Sequence, residues 1–291
     1  MSPAGSLRTP FPSTDSDSVR PEDRMPVVFI HGLWLHASSW DAWLDLFREH
    51  GYDPVAPGWP GEPEALPAAN AFPGPMAGTG LREVLDHYEE FISGLRRPPI
   101  VVGHSLGGLV AQQLLARGAA AGAAALAPTR FRGVLRFSPV QLWSSLPLLW
   151  NPLNRRRILR QSPQHFRRTY ANAVSERESN DLHATCVMPA PGRPLFQAAH
   201  ANVNPRSPVR VNTSAARGPL LLAGASEDRV VPAPVVRAAA RRYRSAPSPT
   251  EYLEFAGSGH SLVIDHSWHV VADTVLGFLA RHGLTPEAAD R

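Results

Sequence analysis

The 291-residue sequence contains no lysine, and all 29 of its basic residues are arginine. Schiff-base chemistry and amine-assisted proton transfer are therefore closed to it, because a guanidinium stays charged and does not act as an amine. Cysteine is nearly absent as well. The single Cys186 excludes an internal disulfide and fits a reducing compartment, so a cytoplasmic location is expected. Cys186 itself reads as a small packing residue. No run approaches the roughly 20 apolar residues a membrane-spanning helix needs. Residues 1–24, rich in Ser, Pro and Asp, lack an apolar segment too, so a disordered tail is expected there and not a secretory signal. Metal-ligand spacing is missing: there is no H-E-x-x-H and no Cys/His cluster, so neither a metal nor another cofactor is expected.

Charge is also in short supply, with 19% charged residues and a net charge of +4. Arginine clusters at 155–157, 167–168 and 241–244 carry no aromatic ladder and no nucleic-acid motif. They read as solvated helix faces, and no nucleic-acid partner is expected. What the chain does have is apolar mass: 43% of its residues, enough to bury a large core.

That mass is periodic. Residues 26–30 form a β-branched apolar run that stops at His31-Gly32, a strand followed by a turn. Trp40, Trp43, Leu44 and Phe47 recur at helical spacing up to Gly51, and a short strand follows over 52–57. Leu81, Val84, Leu85, Tyr88, Phe91 and Ile92 mark an amphipathic helix. Strands are expected at 99–103, 121–127, 220–224 and 252–255, with helices at 106–116, 235–243 and 268–280 between or after them. This alternation predicts an α/β fold with a mostly parallel sheet covered by helices on both faces. Between 128 and 218 the alternation is lost. A structureless loop of that length is implausible in a compact domain. The segment is therefore read as a helical cap, with helical pieces near 155–160 and 162–173, inserted into a core of residues 25–127 and 219–284.

The sharpest motif is Gly103-His104-Ser105-Leu106-Gly107, placed between an apolar strand and an Ala/Leu-rich helix. Such a turn is strained and needs small neighbours, and it pushes the serine hydroxyl into a site. A hydroxyl becomes nucleophilic only when a base takes its proton. His260, in a small-residue loop after the last strand, is the best of twelve histidines for that task. Among the competitors, His31 at a strand end suits a backbone-fixing role. The imidazole needs a carboxylate to hold its tautomer. Asp228, just past the 220–224 strand, is the first choice and Glu227 its neighbouring competitor. Leu106 N–H at the helix start and Leu33 N–H after His31-Gly32 are the expected oxyanion donors, with Trp34 next.

The His31-Gly32 turn, the Gly103–Gly107 elbow, the Asp228 loop and the Gly259-His260 pair together resemble the α/β-hydrolase superfamily, and most closely its cofactor-free esterase, lactonase and perhydrolase branch. That resemblance implies a Ser105/His260/Asp228 triad acting through an acyl-enzyme. Members usually begin with two further strands, which the tail before Met25 has little to form, so a shortened sheet of about six strands is expected. The expected activity is cleavage of a carboxylic ester, lactone or thioester of a small, hydrophobic acyl group. Perhydrolysis, acyl transfer or a lyase reaction on the same triad is the alternative, and a non-catalytic ligand-binding descendant a third. Serine in place of an aspartate nucleophile argues against dehalogenase or epoxide hydrolase chemistry. The apolar run with Trp143, Leu146, Leu148, Leu149 and Trp150 either lines the pocket or glues the cap in place. Trp34 and Trp143 are the expected substrate contacts.

Overall fold

The computed structural model describes residues 24–136, 139–204 and 206–286, so the expected tail lies outside the described residues except for Arg24. In chain order the strands are β1 (Pro26–Ile30), β2 (Asp53–Val55), β3 (Ile100–His104), β4 (Gly122–Leu126), β5 (Ile158–Leu159), β6 (Ala190–Pro191), β7 (Leu220–Ala225) and β8 (Thr250–Phe255). The helices are α1 (Asp41–Glu49), α2 (Leu66–Ala71), α3 (Leu81–Ser93), α4 (Leu106–Ala116), α5 (Pro139–Leu149), α6 (Pro163–Thr169), α7 (Glu176–Cys186), α8 (Arg193–Ala199), α9 (Ala233–Ala240) and α10 (Trp268–Arg281).

Six strands form one sheet in the order β2-β1-β3-β4-β7-β8, and every neighbouring pair is parallel. The α/β architecture with a six-stranded parallel sheet and helices around it is thus the one the alternating pattern predicts. Strands β1, β3, β4 and β7 are buried at every position. Helix packing on a parallel sheet buries both faces, which is why these strands read as continuous apolar runs without alternation. Helix α3 buries Leu81, Val84, Leu85, Tyr88 and Ile92, the stripe its spacing announces. Helix α4 has no polar face to show: all but its last residue are buried, so it runs through the core directly behind Ser105.

Around β1 an aromatic cluster locks the sheet to α1. Phe29, Trp40, Trp43 and Phe47 meet at ring separations of 5.1 to 6.2 Å. Trp43 also donates its indole N–H to Val263 O at 2.9 Å, tying this cluster to the loop that carries His260.

The 128–218 segment differs in detail from its sequence reading. The expected helical piece near 155–160 is instead a short 3₁₀ turn (Pro152–Arg156) followed by β5, which pairs antiparallel with β6. The cause is non-local: Gly192 N–H donates to Arg157 O, and any side chain at 192 would collide with Asn154 O. The expected 162–173 piece is shorter, as α6, capped by Ser162 Oγ accepting from His165 N–H. Helices α7 and α8 complete the segment. It meets the core where Met188 N–H donates to Trp34 O and Leu35 bridges Val187. Among the described residues, no helix is long and apolar enough to cross a membrane.

Candidate active site

At the end of β3 the chain turns into α4 through Ser105, whose φ of 54° and ψ of −115° are unusual for a residue with a side chain. Glycine makes the turn possible. A Cβ at Gly103 would stand 2.2 Å from Gly107 O, and one at Gly107 would stand 2.1 Å from Ile30 O. The backbones therefore touch where side chains would otherwise keep them apart, and the hydroxyl is left facing a cavity.

Three side chains from three strand ends converge there. His260 Nε2 lies 3.0 Å from Ser105 Oγ, and His260 Nδ1 lies 2.6 Å from Asp228 Oδ2. All three residues are buried. Asp228 is held in turn by the Val230 and Val231 N–H groups, each donating to Oδ1 at 2.7 Å. With one oxygen fixed by two amides, the other is aimed at the imidazole. Glu227 points away: its side chain is exposed, within reach of Ser226 Oγ at 3.3 Å. The geometry thus joins Ser105, His260 and Asp228 and leaves Glu227 out.

Two residues to which the sequence gives no role, His104 of the turn motif and Tyr170, pack on His260. His104 Nε2–H donates to His260 O at 3.0 Å, and the Tyr170 hydroxyl donates to His104 Nδ1 at 3.3 Å. The Tyr170 ring also stands edge-on to the His260 ring at 4.6 Å. Burial, and then the neighbouring His260, hold His104 well below the usual histidine range. Burial, reinforced by Asp228 and Cys186, pushes the Tyr170 phenol well up. Both groups therefore stay neutral, which keeps this relay in a single tautomer.

The turn after β1 carries Leu33 and Trp34, and Trp34 adopts a positive φ of 71°. A Cβ at Gly32 would sit 2.9 Å from Ser105 Cβ, so this turn lies directly against the Ser105 turn. Among the described residues neither Leu33 N–H nor Leu106 N–H donates to a backbone carbonyl. Leu106, first in α4, is also one of the N–H groups a helix leaves unsatisfied.

The turn has its own anchor. Glu62 lies 2.8 Å from His31 Nε2, within ion-pair distance, and accepts N–H groups from Ala37 and Trp59 at 2.9 and 3.1 Å. His31 Nδ1–H donates to Gly32 O at 2.9 Å, and Trp59 stacks on the imidazole. His31 thus has the backbone-fixing position expected of it. Burial alone would raise the Glu62 carboxyl; the facing His31 ring and the two amides outweigh that, leaving it below the usual value. A carboxylate with a depressed folded value contributes stability at neutral pH and loses it as acid protonates the native state. Glu62→Gln is expected to cost about 3 kcal/mol at pH 7 in urea unfolding. The gap to wild type should narrow as pH falls below the ordinary carboxylate range; a constant gap would show that the charge is not what matters.

The cavity over Ser105 measures about 160 Å³ and is walled by Leu33, Trp34, Leu149, Leu195 and Val230, with Arg130 as a charged member. Trp34 meets it as expected and also donates its indole N–H to Leu159 O at 3.3 Å. Trp143 does not. It is 82% exposed and faces a separate depression with Pro139 and His165, because α5 directs Leu149 inward and turns Trp143 to solvent. Trp150 is equally exposed. Among the described residues, no group of three His, Cys, Asp or Glu side chains is placed to hold a metal ion.

The family model described as "Alpha/beta hydrolase family" matches residues 27–274. The chain belongs to the α/β hydrolase family. Among solved structures it is similar to a monoacylglycerol lipase from Paleococcus ferrophilus, at 20% identity, covering 88% of this chain and 94% of that one with a TM-score of 0.57. A candidate non-heme bromoperoxidase, BpoC, from Mycobacterium tuberculosis H37Rv is similar at 20% identity, 88% and 92% coverage and a TM-score of 0.64. A pyrethroid hydrolase from Sphingobium faniae is similar at 17% identity, 88% and 97% coverage and a TM-score of 0.60. At these identities the likeness shows the α/β hydrolase fold. No curated protein sequence is significantly similar to the chain.

Proposed function

We propose that this α/β hydrolase is a metal-free serine hydrolase that cleaves a carboxylic ester, lactone or thioester of a small acyl group. The observation that carries this reading is the continuous hydrogen-bonded line from Ser105 Oγ through the His260 ring to Asp228, at 3.0 and 2.6 Å, opening on a cavity. Ser105 Oγ attacks the acyl carbon while His260 Nε2 takes its proton. Asp228 accepts from Nδ1–H and stabilises the imidazolium. The developing oxyanion is received by the Leu33 and Leu106 N–H groups, aided by the positive end of α4. The imidazolium then protonates the leaving alcohol or thiol. Water, deprotonated by His260, resolves the acyl-enzyme in the reverse sense.

His104 and Tyr170 position the base, and the 128–218 segment acts as a cap whose inner residues, Leu149, Tyr170 and Leu195 among them, set acyl size. The volume of about 160 Å³ is small beside the roughly 300–1,000 Å³ of pockets for drug-sized ligands, which favours short acyl groups. The test is labelling with a fluorophosphonate probe, mapping of the modified peptide, and turnover of matched esters, lactones and acyl thioesters. Modification of Ser105 with hydrolysis of at least one class is expected; an unlabelled Ser105 in folded protein would overturn the reading.

A further inference from the structure

Charge is unevenly placed along the chain. No Asp or Glu occurs between Glu90 and Glu176, and residues 128–175 alone hold nine arginines. Part of that charge is used internally: Arg167 lies 3.7 Å from Glu176, and Arg160 donates to Asn70 O at 2.9 Å. Arg155, Arg156 and Arg157, in and just after the 3₁₀ turn, are exposed one beside the next, and Arg168 of α6 is exposed as well. With no acidic residue between 128 and 175 to offset them, they raise the positive potential around α5.

The same stretch exposes apolar side chains. Trp143 and Trp150 are both more than 80% exposed, and Val140, Leu146 and Leu153 stand out beside them. Positions 140, 143, 147 and 150 recur at helical spacing, and Trp150 N–H still donates to Leu146 O, so they share one outer face of α5. Leu149 leaves the same helix on the other side and lines the cavity over Ser105. An exposed apolar stripe of this kind marks a surface that meets a partner. The basic and apolar parts adjoin. Arg168 lines the same depression as Trp143 and Pro147, and Asn154 Nδ2–H of the arginine-bearing turn donates to Leu148 O of α5 at 2.9 Å.

We infer that the outer face of α5, with Arg155–Arg157 and Arg168 beside it, docks on the surface of an anionic lipid bilayer. Both chemistries ask for that partner. An indole has an apolar body and one N–H, so it rests at the boundary between headgroups and acyl chains. Guanidinium groups pair with lipid phosphates, and each basic residue near an anionic surface strengthens attachment several-fold. A second copy of the chain fits less well, because a two-fold contact through α5 would bring the two basic clusters together. A duplex nucleic acid would use the arginines and leave both indoles and Leu146 in water. The 11-residue helix lies in the plane of the surface and does not cross it. Docking stands whatever reaction Ser105 performs. Since α5 also supplies Leu149 to the cavity, a docked molecule holds that cavity about one helix diameter, roughly 10 Å, from the lipid.

The experiment is co-sedimentation of the full chain with vesicles of phosphatidylcholine alone and of equimolar phosphatidylcholine and phosphatidylglycerol. Expected is a partition coefficient about tenfold or more higher on the mixed vesicles, a preference lost at about 1 M salt, where screening shortens to about 3 Å. Arg155→Gln, Arg156→Gln and Arg157→Gln together should bring binding down about tenfold, toward the level on phosphatidylcholine. Trp143→Ser with Trp150→Ser should lower it by a similar factor and remove the blue shift of tryptophan emission that vesicles induce. These side chains are exposed, so thermal melting should be unchanged in both variants; if the double variant melts early, Trp150→Ser alone shows the same loss in smaller degree. No binding to the mixed vesicles would overturn the inference, as would equal binding to both vesicle types or binding that both variants leave intact. Salt-sensitive binding to a DNA duplex in place of vesicles would assign the arginines to nucleic acid and overturn it too. So would self-association that the tryptophan changes abolish, with no vesicle binding, since the face would then belong to a second copy.

Discussion

Ser105→Ala is expected to lower kcat on an activated ester by roughly 10⁵- to 10⁶-fold, the scale on which loss of a triad nucleophile is felt. The loss is large because Ser105 and His260 act as a unit: without the hydroxyl, the imidazole has no proton to take in the acylation step. A residue of activity should survive, since the Leu33 and Leu106 amides can still polarise a bound carbonyl toward attack by water. The fold should be spared. Only one small polar atom is removed, and Ser105 N–H and O keep their bonds to Leu126 O and to the Leu109 and Thr129 amides. Steady-state kinetics and thermal melting on the same preparation check both halves. Turnover within tenfold of wild type would transfer the nucleophile's role elsewhere.

Asp228→Asn comes next in size, with an expected loss of about 10⁴ in kcat while Glu227→Gln stays within a factor of about 3. The reasoning is in the hydrogen bonds. Oδ1 accepts two amides, from Val230 and Val231, so an asparagine must place its carbonyl oxygen there. Its NH₂ then faces His260 Nδ1, where a donor has replaced an acceptor. The ring is driven to the tautomer with its proton on Nε2, and that nitrogen can no longer accept from Ser105. Glu227 offers no such coupling, being exposed and bonded through its backbone N–H to Ser258 O. The reverse ranking of the two variants in kcat would identify Glu227 as the acid.

Much of this arrangement was legible in the sequence because it is local. The elbow is read from five consecutive residues, the strands from short apolar runs, and the Ser105, Asp228, His260 order from strand ends that the βα alternation itself supplies. What escaped depends on contacts between distant residues. Glu62 sits in a Pro/Gly-rich stretch with no period, and nothing near it in sequence reveals that His31 waits 31 positions earlier. Arg130 lies four residues beyond β4, a strand of Gly, three Ala and Leu, and its burial beside the strap from Thr129 N–H to Ser105 O is not visible in the local sequence. That Trp143 faces away from the cavity is not legible, because an apolar run on a helix shows which residues share a face but not which face meets the core. By contrast, the start of α7 carried a readable signal: Ser175 three residues before Glu178 is a capping pattern, and Ser175 Oγ does accept the Glu178 N–H.

The order of strands also governs when Ser105, Asp228 and His260 can meet. Strands β1, β3 and β4 lie side by side and are all made in the first half of the chain, so the serine elbow can assemble early. The carboxylate follows β7 and the imidazole follows β8, an edge strand and the last of the sheet in chain order. The three side chains therefore meet only after β7 and β8 have docked beside β4. Parallel pairings across such separations form slowly, so the meeting of Ser105, Asp228 and His260 comes late in folding. The proposed hydrolysis would thereby report the docking of β8, because His260 reaches Ser105 and Asp228 only once that strand is in place.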